Sequence, residues 1–227
     1  MVSAIIVAGG KGTRMSAGFN KVFLQLGNTE IITRTIAVFE DFDGVDEIII
    51  VTAKEDLDRM RDLVQKNGFT KISHITEGGQ TRRDSVFNGL LKASGDISLI
   101  HDGARCFVTC EEINAVITDT AEYGAAAVGV TVKDTLKEID KNSNIVCTVD
   151  REKTVYIRTP QAFRTDEILA LHKRAKADAL NVTDDCSIFE HYGKVVHFTN
   201  GSYDNIKITT PEDIALGEEI LKRRSLI

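Results

Sequence analysis

Short apolar runs alternate with stretches of helical periodicity along most of the chain. Four runs have the length of strands and are predicted to be buried on both faces: residues 4–7, 47–51, 71–75 and 97–100. Between them, apolar residues fall on one side of a helix at positions 32, 36 and 39, then 57, 60 and 64, then 86 and 90. Buried strands that alternate with helices are typical of parallel sheets, so the pattern predicts an open α/β fold.

Several helix boundaries have recognisable sequence signals. Threonines at 109, 165 and 210 precede acidic residues, which predicts a hydroxyl N-cap and a negatively charged first turn for three helices. Thr81 is expected to cap another helix, directly after the paired glycines at 78 and 79. The pair Asn67-Gly68 is expected to end the second helix.

One stretch interrupts the alternation of strands and helices. Residues 128–137 and 145–149 flank a polar turn at 140–144, which predicts a β-hairpin that projects from the sheet. Because a lone two-stranded ribbon is marginally stable in water, we expect this β-arm to pack on a second subunit and form a homodimer. No linker or repeat divides the sequence, so residues 1–227 are expected to form one domain that includes the arm at about 131–155.

Composition excludes several classes of protein. Hydrophobic residues make up 42% of the chain and charged residues 27%, which disfavours a disordered or membrane protein. The net charge of −6 argues against non-specific nucleic-acid binding, because that requires a broad basic surface. The first strand follows Met1 without a basic leader, so we expect a cytoplasmic protein. Neither the four cysteines nor the five histidines have metal-binding spacing, so no metal site made of protein side chains is expected.

The loop after the first strand is the strongest indication of chemistry. It contains Gly9, Gly10, Lys11, Gly12 and Arg14, and Lys21 follows shortly afterwards. Glycines let the backbone bend tightly and turn its N–H groups toward an anion, while the cations supply full positive charge. The loop therefore predicts a polyphosphate ligand, although a plain surface loop would also contain glycine and lysine.

Two familiar phosphate-binding loops do not fit this spacing. A Walker-type loop requires Ser or Thr directly after the lysine, but Lys11 is followed by Gly12. A dinucleotide fingerprint requires a third glycine where Met15 stands, and an acid after the second strand, where residues 52–54 are Thr, Ala and Lys. A nicotinamide-dependent oxidoreductase is therefore disfavoured.

In open α/β sheets the ligand crevice lies beyond the carboxyl ends of the strands, where the glycine-rich loop is expected. Three further segments are expected at this crevice, because they follow predicted strands or precede the last helix. They are residues 77–85, 101–105 and 204–210. Asp102 and Arg105 stand three residues apart, which is consistent either with a structural ion pair or with a binding site. Two phosphorylated reactants would need opposed cations, and the candidates are Lys11, Arg14, Lys21, Arg105, Arg151 and Lys207. Mg²⁺ is expected as cofactor, held mainly by triphosphate oxygens.

The segments taken together resemble one enzyme family over nearly the whole chain. The matching segments are Ala-Gly-Gly-Lys-Gly-Thr-Arg-Met at 8–15, Asn-Lys at 20–21, Gly-Gly-Gln-Thr-Arg-Arg-Asp-Ser-Val at 78–86, His-Asp-Gly-Ala-Arg at 101–105, Lys-Asp-Thr at 133–135, Thr-Val-Asp-Arg at 148–151, Thr-Pro-Gln-Ala-Phe at 159–163, Thr-Asp-Asp at 183–185 and Asp-Asn-Ile-Lys at 204–207. This ordered set resembles the 2-C-methyl-D-erythritol 4-phosphate cytidylyltransferases.

The resemblance implies a fold, a reaction and a set of site residues. It implies a doubly wound, mostly parallel, Rossmann-like nucleotidyltransferase domain whose β-arm exchanges across a homodimer. It implies cytidylyl transfer from CTP to methylerythritol phosphate, with release of pyrophosphate, in non-mevalonate isoprenoid synthesis. The implied catalytic residues are Arg14, Lys21, Arg151 and Lys207. The implied nucleotide-binding residues are Ala8, Gly9, Gly10, Lys11, Gly12, Gly79, Gln80, Arg82, Ser85 and Asp102. The implied acceptor-binding residues are Arg105, Thr159, Thr183 and Lys207, with Thr135 and Arg151 from the arm of the other subunit.

Departures from the family pattern and two rival functions complete the sequence interpretation. Asn20, Val22, Gly103, Cys106 and Arg158 stand where the family usually has other residues. A polyol phosphate cytidylyltransferase acting on ribitol 5-phosphate resembles the chain in the first loop and at 183–186, but the segments 148–151 and 204–205 favour methylerythritol phosphate. A non-catalytic nucleotide-sensing domain is disfavoured because the cations at 14, 21 and 207 are all retained.

Overall fold

The computed structural model describes residues 1–10 and 20–226. The helices are α1 (Ile31–Asp41), α2 (Leu57–Asn67), α3 (Arg82–Leu90), α4 (Cys110–Tyr123), α5 (Thr165–Ala177), α6 (Cys186–His191) and α7 (Pro211–Arg223). The strands are β1 (Val2–Val7), β2 (Gln25–Leu26), β3 (Thr29–Glu30), β4 (Glu47–Thr52), β5 (Ile72–Glu77), β6 (Ile97–Asp102), β7 (Ala125–Thr131), β8 (Lys137–Ile139), β9 (Ile145–Thr148), β10 (Val155–Arg164) and β11 (His197–Asn200). The predicted α/β fold with a mostly parallel sheet is confirmed.

The central sheet has seven strands in the order β11-β7-β10-β6-β1-β4-β5. Neighbours pair in parallel except β10, which is antiparallel to both β6 and β7. The chain runs outward from β1 to β4 and β5, then returns to β6 on the other side of β1. Strand order thus reverses at β1, and in open α/β sheets a ligand crevice forms outside the carboxyl ends of the strands at such a point.

Alternate residues of the inner strands pack into two separate cores. Ile6, Ile48 and Ile50 join one cluster, beneath α1, α2 and α4, while Ile5 and Ile49 join the other, beneath α3 and α5. Each buried isoleucine contributes about 1.5–3 kcal/mol by removing its side chain from water. Burial on both faces explains why β1 and β4 are continuous apolar runs. At the sheet edge, β5 is partly exposed, so the prediction that it is buried on both faces was wrong.

Local signals predicted most of the helix ends. Thr81 and Thr109 form capping boxes with Asp84 and Glu112, and Gly68 ends α2 with a φ of 67°. The start of α7 is also capped, since the Asp213 carboxylate accepts hydrogen bonds from the N–H groups of residues 209 and 210. Each such cap contributes about 1 kcal/mol.

One predicted cap was wrong. Thr165 is itself the first residue of α5, and the preceding Arg164 makes no side-chain cap. The Thr165 hydroxyl instead lies 2.8 Å from the Ser98 hydroxyl, on strand β6. The Thr165 hydroxyl therefore makes a tertiary hydrogen bond with Ser98 in place of the predicted helix cap.

The projecting hairpin is shorter than the sequence suggested. Residues 125–131, which include the first part of the predicted arm strand, form the buried strand β7 between β11 and β10. The hairpin itself consists of β8 and β9, which pair from Lys137↔Thr148 onward and are exposed along their whole length. Asp140 closes its turn by accepting hydrogen bonds from the N–H groups of Asn142 and Asn144. Within the described residues, no helix has the length and apolar character needed to cross a membrane.

Candidate active site

A cavity of about 420 Å³ lies at the carboxyl ends of β1 and β6, where the strand order reverses. Ten of the residues selected from the sequence line it: Ala8, Gly9, Gly10, Lys21, Gly79, Gln80, Arg82, Ser85, Asp102 and Lys207. Lys11, Gly12 and Arg14 lie outside the described residues. The cavity is also lined by Val7, Val22, Thr81, Ala104 and Thr209, which were not selected.

The first wall of the cavity continues directly from β1. The N–H of Ala8 donates to the carbonyl of Val51 at 2.7 Å, which extends the pairing of β1 and β4 into the loop. Asn20 holds this wall from behind, because its Nδ2 donates to the carbonyl of Ala8 at 2.6 Å and to Asp56 at 2.9 Å. Lys21 follows at the start of a short 3₁₀ turn, and its Nζ donates to the carbonyl of Ile208 at 2.7 Å. The lysine is thereby fixed at the cavity wall.

The second wall is the loop between β5 and α3. The N–H of Gly79 donates to the Ser85 hydroxyl at 3.0 Å, and that hydroxyl donates to the carbonyl of Thr81 at 2.9 Å. A Cβ atom on Gly79 would lie 2.2 Å from the Cβ of Asp84, so this position requires glycine. The loop consequently packs tightly against the start of α3, and its residues Gly79 and Gln80 line the cavity.

Asp102 lies at the end of β6 among three cations. Its Oδ2 is 2.8 Å from Lys207 Nζ and 3.5 Å from Arg105 Nε, and its Oδ1 is 3.5 Å from Arg82 Nε. Burial disfavours the charged carboxylate, but Lys207, Arg82 and Arg105 outweigh it and hold the pKa of Asp102 well below its ordinary value. The carboxylate therefore remains ionised at neutral pH and is unsuited to act as a general base.

Three more residues were selected from the sequence as acceptor-binding: Arg105, Thr159 and Thr183. The first two contact the Asp102 segment, and Thr183 lies near α6. The Thr159 hydroxyl accepts from the N–H of Asp102 at 3.0 Å, and Arg105 Nη1 donates to the carbonyl of Asn205 at 3.0 Å. Thr183 lies before α6, where its hydroxyl is 3.2 Å from that of Ser187. None of these three lines the cavity.

Thr135 and Arg151 are both exposed, and neither lines the cavity of its own chain. Arg151 begins a 3₁₀ turn whose N-cap is Asp150, in the segment between β9 and β10. Thr135 lies between β7 and β8, on the other side of the hairpin. Within one chain, the structure does not bring these two residues to the other candidate site residues.

Two buried residues at the site had no role in the sequence interpretation. Asp185 forms an ion pair with Arg82 at 2.7 Å, and its other oxygen is 3.0 Å from His172 Nε2. Burial would lower the pKa of Arg82, but Asp185 and Asp102 raise it above its ordinary value. Asp185 falls in the Thr-Asp-Asp segment, so its position was noted, but no local feature indicates its partner 103 residues away.

Among the residues that the structure describes, no group of three His, Cys, Asp or Glu side chains could hold a metal ion. All four cysteines are free, and burial raises the pKa of the Cys106 thiol to about 12. Buried thiols of this kind are unreactive. The charged residues that line the cavity, within the described part of the chain, are Lys21, Arg82, Asp102 and Lys207.

Comparison with known proteins agrees with this arrangement. The sequence model of one family, 2-C-methyl-D-erythritol 4-phosphate cytidylyltransferase, matches residues 2–223. The chain belongs to this family. A relative of that name from Clostridium botulinum (strain Eklund 17B / Type B) is 46% identical over 225 residues, covering 98% of this chain and 100% of the relative.

Solved structures show the same fold. A 4-diphosphocytidyl-2C-methyl-D-erythritol synthase from Anaerococcus prevotii superposes with a TM-score of 0.89 at 32% identity, covering 98% of this chain and 96% of that chain. A 2-C-methyl-D-erythritol 4-phosphate cytidylyltransferase from Thermus thermophilus gives a TM-score of 0.76 at 27% identity, covering 96% of this chain and 98% of that one. The family resemblance and the doubly wound fold expected from the sequence are thus both confirmed.

Proposed function

We propose that the chain transfers a cytidylyl group from CTP to 2-C-methyl-D-erythritol 4-phosphate and releases pyrophosphate, as an enzyme of non-mevalonate isoprenoid synthesis. The observation that carries this proposal is a cavity in which Lys21, Arg82 and Lys207 face a wall of glycine backbone at the strand-order reversal. Family membership supports the same reaction, because close relatives over the full chain length bear the name of this enzyme.

The reaction needs alignment and charge stabilisation rather than proton abstraction. An oxygen of the acceptor phosphate forms a bond to the α-phosphorus of CTP, while the bond to the α,β-bridging oxygen breaks and its electron pair leaves with pyrophosphate. The attacking phosphate is already an anion near neutral pH, so no general base is required. This agrees with Asp102, the cavity carboxylate, being held ionised by three cations.

Contacts within the protein hold the cations at the cavity. Lys21 and Lys207 are brought to the same cavity because Lys21 donates to the carbonyl of Ile208, the residue after Lys207. We infer that Lys21, with Arg14, stabilises the triphosphate and the charge that develops on the α-phosphate. Fixed cations in a partly buried site need little reorganisation during the reaction, which makes their stabilisation effective.

The two substrates are assigned to different walls. CTP is proposed to place its base against Ala8, Gly9, Gly79, Gln80 and Ser85, with Gly10, Lys11 and Gly12 near its phosphates. The acceptor is proposed to contact Arg105, Thr159, Thr183 and Lys207. Asp102 lies between the two groups, where it contacts both Arg82 and Lys207.

Magnesium is proposed to arrive with the nucleotide. The only carboxylate among the described residues that line the cavity is Asp102, and it is already engaged by Arg82, Arg105 and Lys207. The described residues therefore do not form a magnesium site of their own, and no step is assigned to a protein-bound metal. Mg²⁺ on the triphosphate would neutralise part of its charge and keep several waters.

A homodimer is proposed through the arm, as part of a single domain of residues 1–227. Three of its large apolar side chains are about two-thirds exposed: Ile139 at 64%, Ile145 at 66% and Val146 at 63%. Covering such side chains would contribute about 1.5–3 kcal/mol each. In this arrangement Thr135 and Arg151 would reach the acceptor in the partner's cavity.

The free thiols of all four cysteines favour a reducing, cytoplasmic compartment.

The test is a panel of acceptors with CTP and Mg²⁺, measuring pyrophosphate release and the mass of the product. We expect methylerythritol phosphate to be used with much higher kcat/KM than ribitol 5-phosphate. Preference for ribitol 5-phosphate would replace the acceptor assignment with the rival polyol phosphate. CTP binding without pyrophosphate release from any acceptor would refute the enzymatic proposal.

A further inference from the structure

A buried row of charged groups extends from the cavity into the interior behind it. Arg82 lines the cavity, and its guanidinium contacts two carboxylates on different elements: Asp102 at 3.5 Å and Asp185 at 2.7 Å. Asp185 itself does not line the cavity and is 1% exposed. The ion pair with Arg82 therefore joins this buried carboxylate to a residue that lines the cavity.

Asp185 is held in place from three directions. Its Oδ1 is 3.0 Å from Nε2 of His172, on α5. Its backbone N–H donates to Gln161 Oε1 at 3.2 Å, on β10. Asp185 directly precedes α6, and Thr183 stands two residues earlier. Its carboxylate thus has a fixed position relative to α5, α6 and the central sheet.

Stability alone does not account for such an arrangement. Removing a carboxylate from water is unfavourable, and replacing a whole buried ion pair with apolar residues is often neutral or stabilising. What the pair does provide is a fixed guanidinium. Without Asp185, Arg82 would have Asp102 as its one carboxylate partner among the described residues and would compete there with Lys207 and Arg105.

We propose that Asp185 is a positioning residue that holds Arg82 between the nucleotide wall and the Asp102 cluster. Because the segment 183–185 also contains Thr183, the same ion pair fixes the acceptor side relative to the nucleotide side. His172 supports this role by orienting the second oxygen of Asp185. The identity of the nucleotide rests on the proposed function, whereas the positioning of Arg82 rests on the geometry.

The test is a double-mutant cycle in the full-length protein with Asp185→Asn, Arg82→Gln and the double variant. CTP affinity is measured by isothermal titration calorimetry, and kcat and KM are measured by pyrophosphate release. Asp185→Asn is expected to raise the Kd and KM for CTP roughly tenfold, the size typical of coupled neighbours. In the Arg82→Gln background, the same change is expected to alter CTP affinity less than about twofold.

Glu47→Gln provides the matched control. Glu47 is also a buried carboxylate, hydrogen-bonded to Ser3 and Ser94, but it lies at the opposite end of the sheet from the cavity. This change should lower stability and leave the Kd for CTP unchanged. A similar loss of CTP affinity in Glu47→Gln and Asp185→Asn would overturn the proposal, because general destabilisation would then explain both.

Three further outcomes have defined meanings. Equal effects of Asp185→Asn with and without Arg82 would refute the positioning role. If Asp185→Asn does not fold, Arg82→Gln is compared with the double variant, in which the whole ion pair is removed. Different CTP affinities of these two variants would also refute the positioning role. Wild-type protein that binds no CTP refutes the proposed function, whereas active wild type with an unaffected Asp185→Asn refutes only this inference.

Discussion

Glu47, at the end of the sheet opposite the cavity, gives the sharpest prediction about stability. Its carboxylate is buried and accepts hydrogen bonds from Ser3 Oγ at 2.6 Å, from the N–H of Ser94 at 2.7 Å and from Ser94 Oγ at 2.8 Å. Burial favours the neutral acid, but these donors outweigh it and lower the pKa of Glu47 from 4.5 to about 2. The ionised form of Glu47 therefore stabilises the folded protein more than the neutral form does.

The lowered pKa sets both the size and the pH range of the effect. A fall from 4.5 to about 2, at 1.36 kcal/mol per pKa unit, corresponds to about 3 kcal/mol of folding free energy at neutral pH. Because the folded pKa is the lower one, this stabilisation is complete above pH 4.5 and is lost as the pH falls toward about 2. Glu47→Gln keeps the shape of the side chain and removes the charge.

Urea unfolding of wild type and Glu47→Gln at several pH values measures this contribution. We expect the variant to be about 3 kcal/mol less stable at pH 7, with the difference narrowing steadily below pH 4.5. Unfolding is followed by circular dichroism, and equal m-values are needed so that midpoints compare stability alone. A difference that does not change between pH 7 and pH 3.5 would refute the electrostatic reasoning, and one below about 1 kcal/mol at pH 7 would refute the assigned pKa.

Three predictions concern the reaction and the assembly. Lys21→Ala is expected to reduce kcat by roughly 100- to 1,000-fold, or about 2.7–4 kcal/mol, because a fixed donor to the developing charge is lost; unchanged turnover in a pyrophosphate-release assay would contradict this. Arg151→Ala should raise KM for the acceptor more than KM for CTP, and equal rises would argue against an acceptor role. Ile145→Asp, on the exposed arm, should shift the protein to monomer in size-exclusion chromatography with light scattering, and a dimer of unchanged stability would exclude the arm as interface.

The parts of the fold that the sequence predicted are those determined by local patterns. β1 and β4 are apolar runs because each strand is covered on both faces, and Thr81 and Thr109 cap helices through residues three positions away. The start of β7, its place in the central sheet and the whole of β10 were not predicted, for a physical reason. β7 begins with three alanines, which favour helix, and β10 contains Pro160, which disfavours a strand interior. Pairing with each other and with β6 and β11 outweighs both local preferences.

For the candidate site, too, the sequence predicted the local features but not the contacts between distant residues. Glycines and cations in the segments 8–12 and 78–82 indicate a phosphate or nucleotide site because their chemistry is evident residue by residue. Their mutual arrangement depends on contacts between distant positions. Lys21 is fixed by a carbonyl 187 residues away, and Arg82 by a carboxylate 103 residues away. Neither contact has a local sequence signature, so Asp185 and His172 could be located only in the folded chain.

Asp102 explains how one crevice can hold several cations close together. Arg82, Arg105 and Lys207 all lie within 3.5 Å of its carboxylate, and without that charge their mutual repulsion would push the side chains toward solvent. Cations displaced in this way would have to be reordered each time the triphosphate entered. A buried anion that is never protonated at neutral pH keeps them in position, so the cost of assembling the site is met during folding rather than during catalysis. An acidic residue thus serves a site whose substrates are anions, because the three cations Arg82, Arg105 and Lys207 outnumber the two carboxylates, Asp102 and Asp185, that contact them.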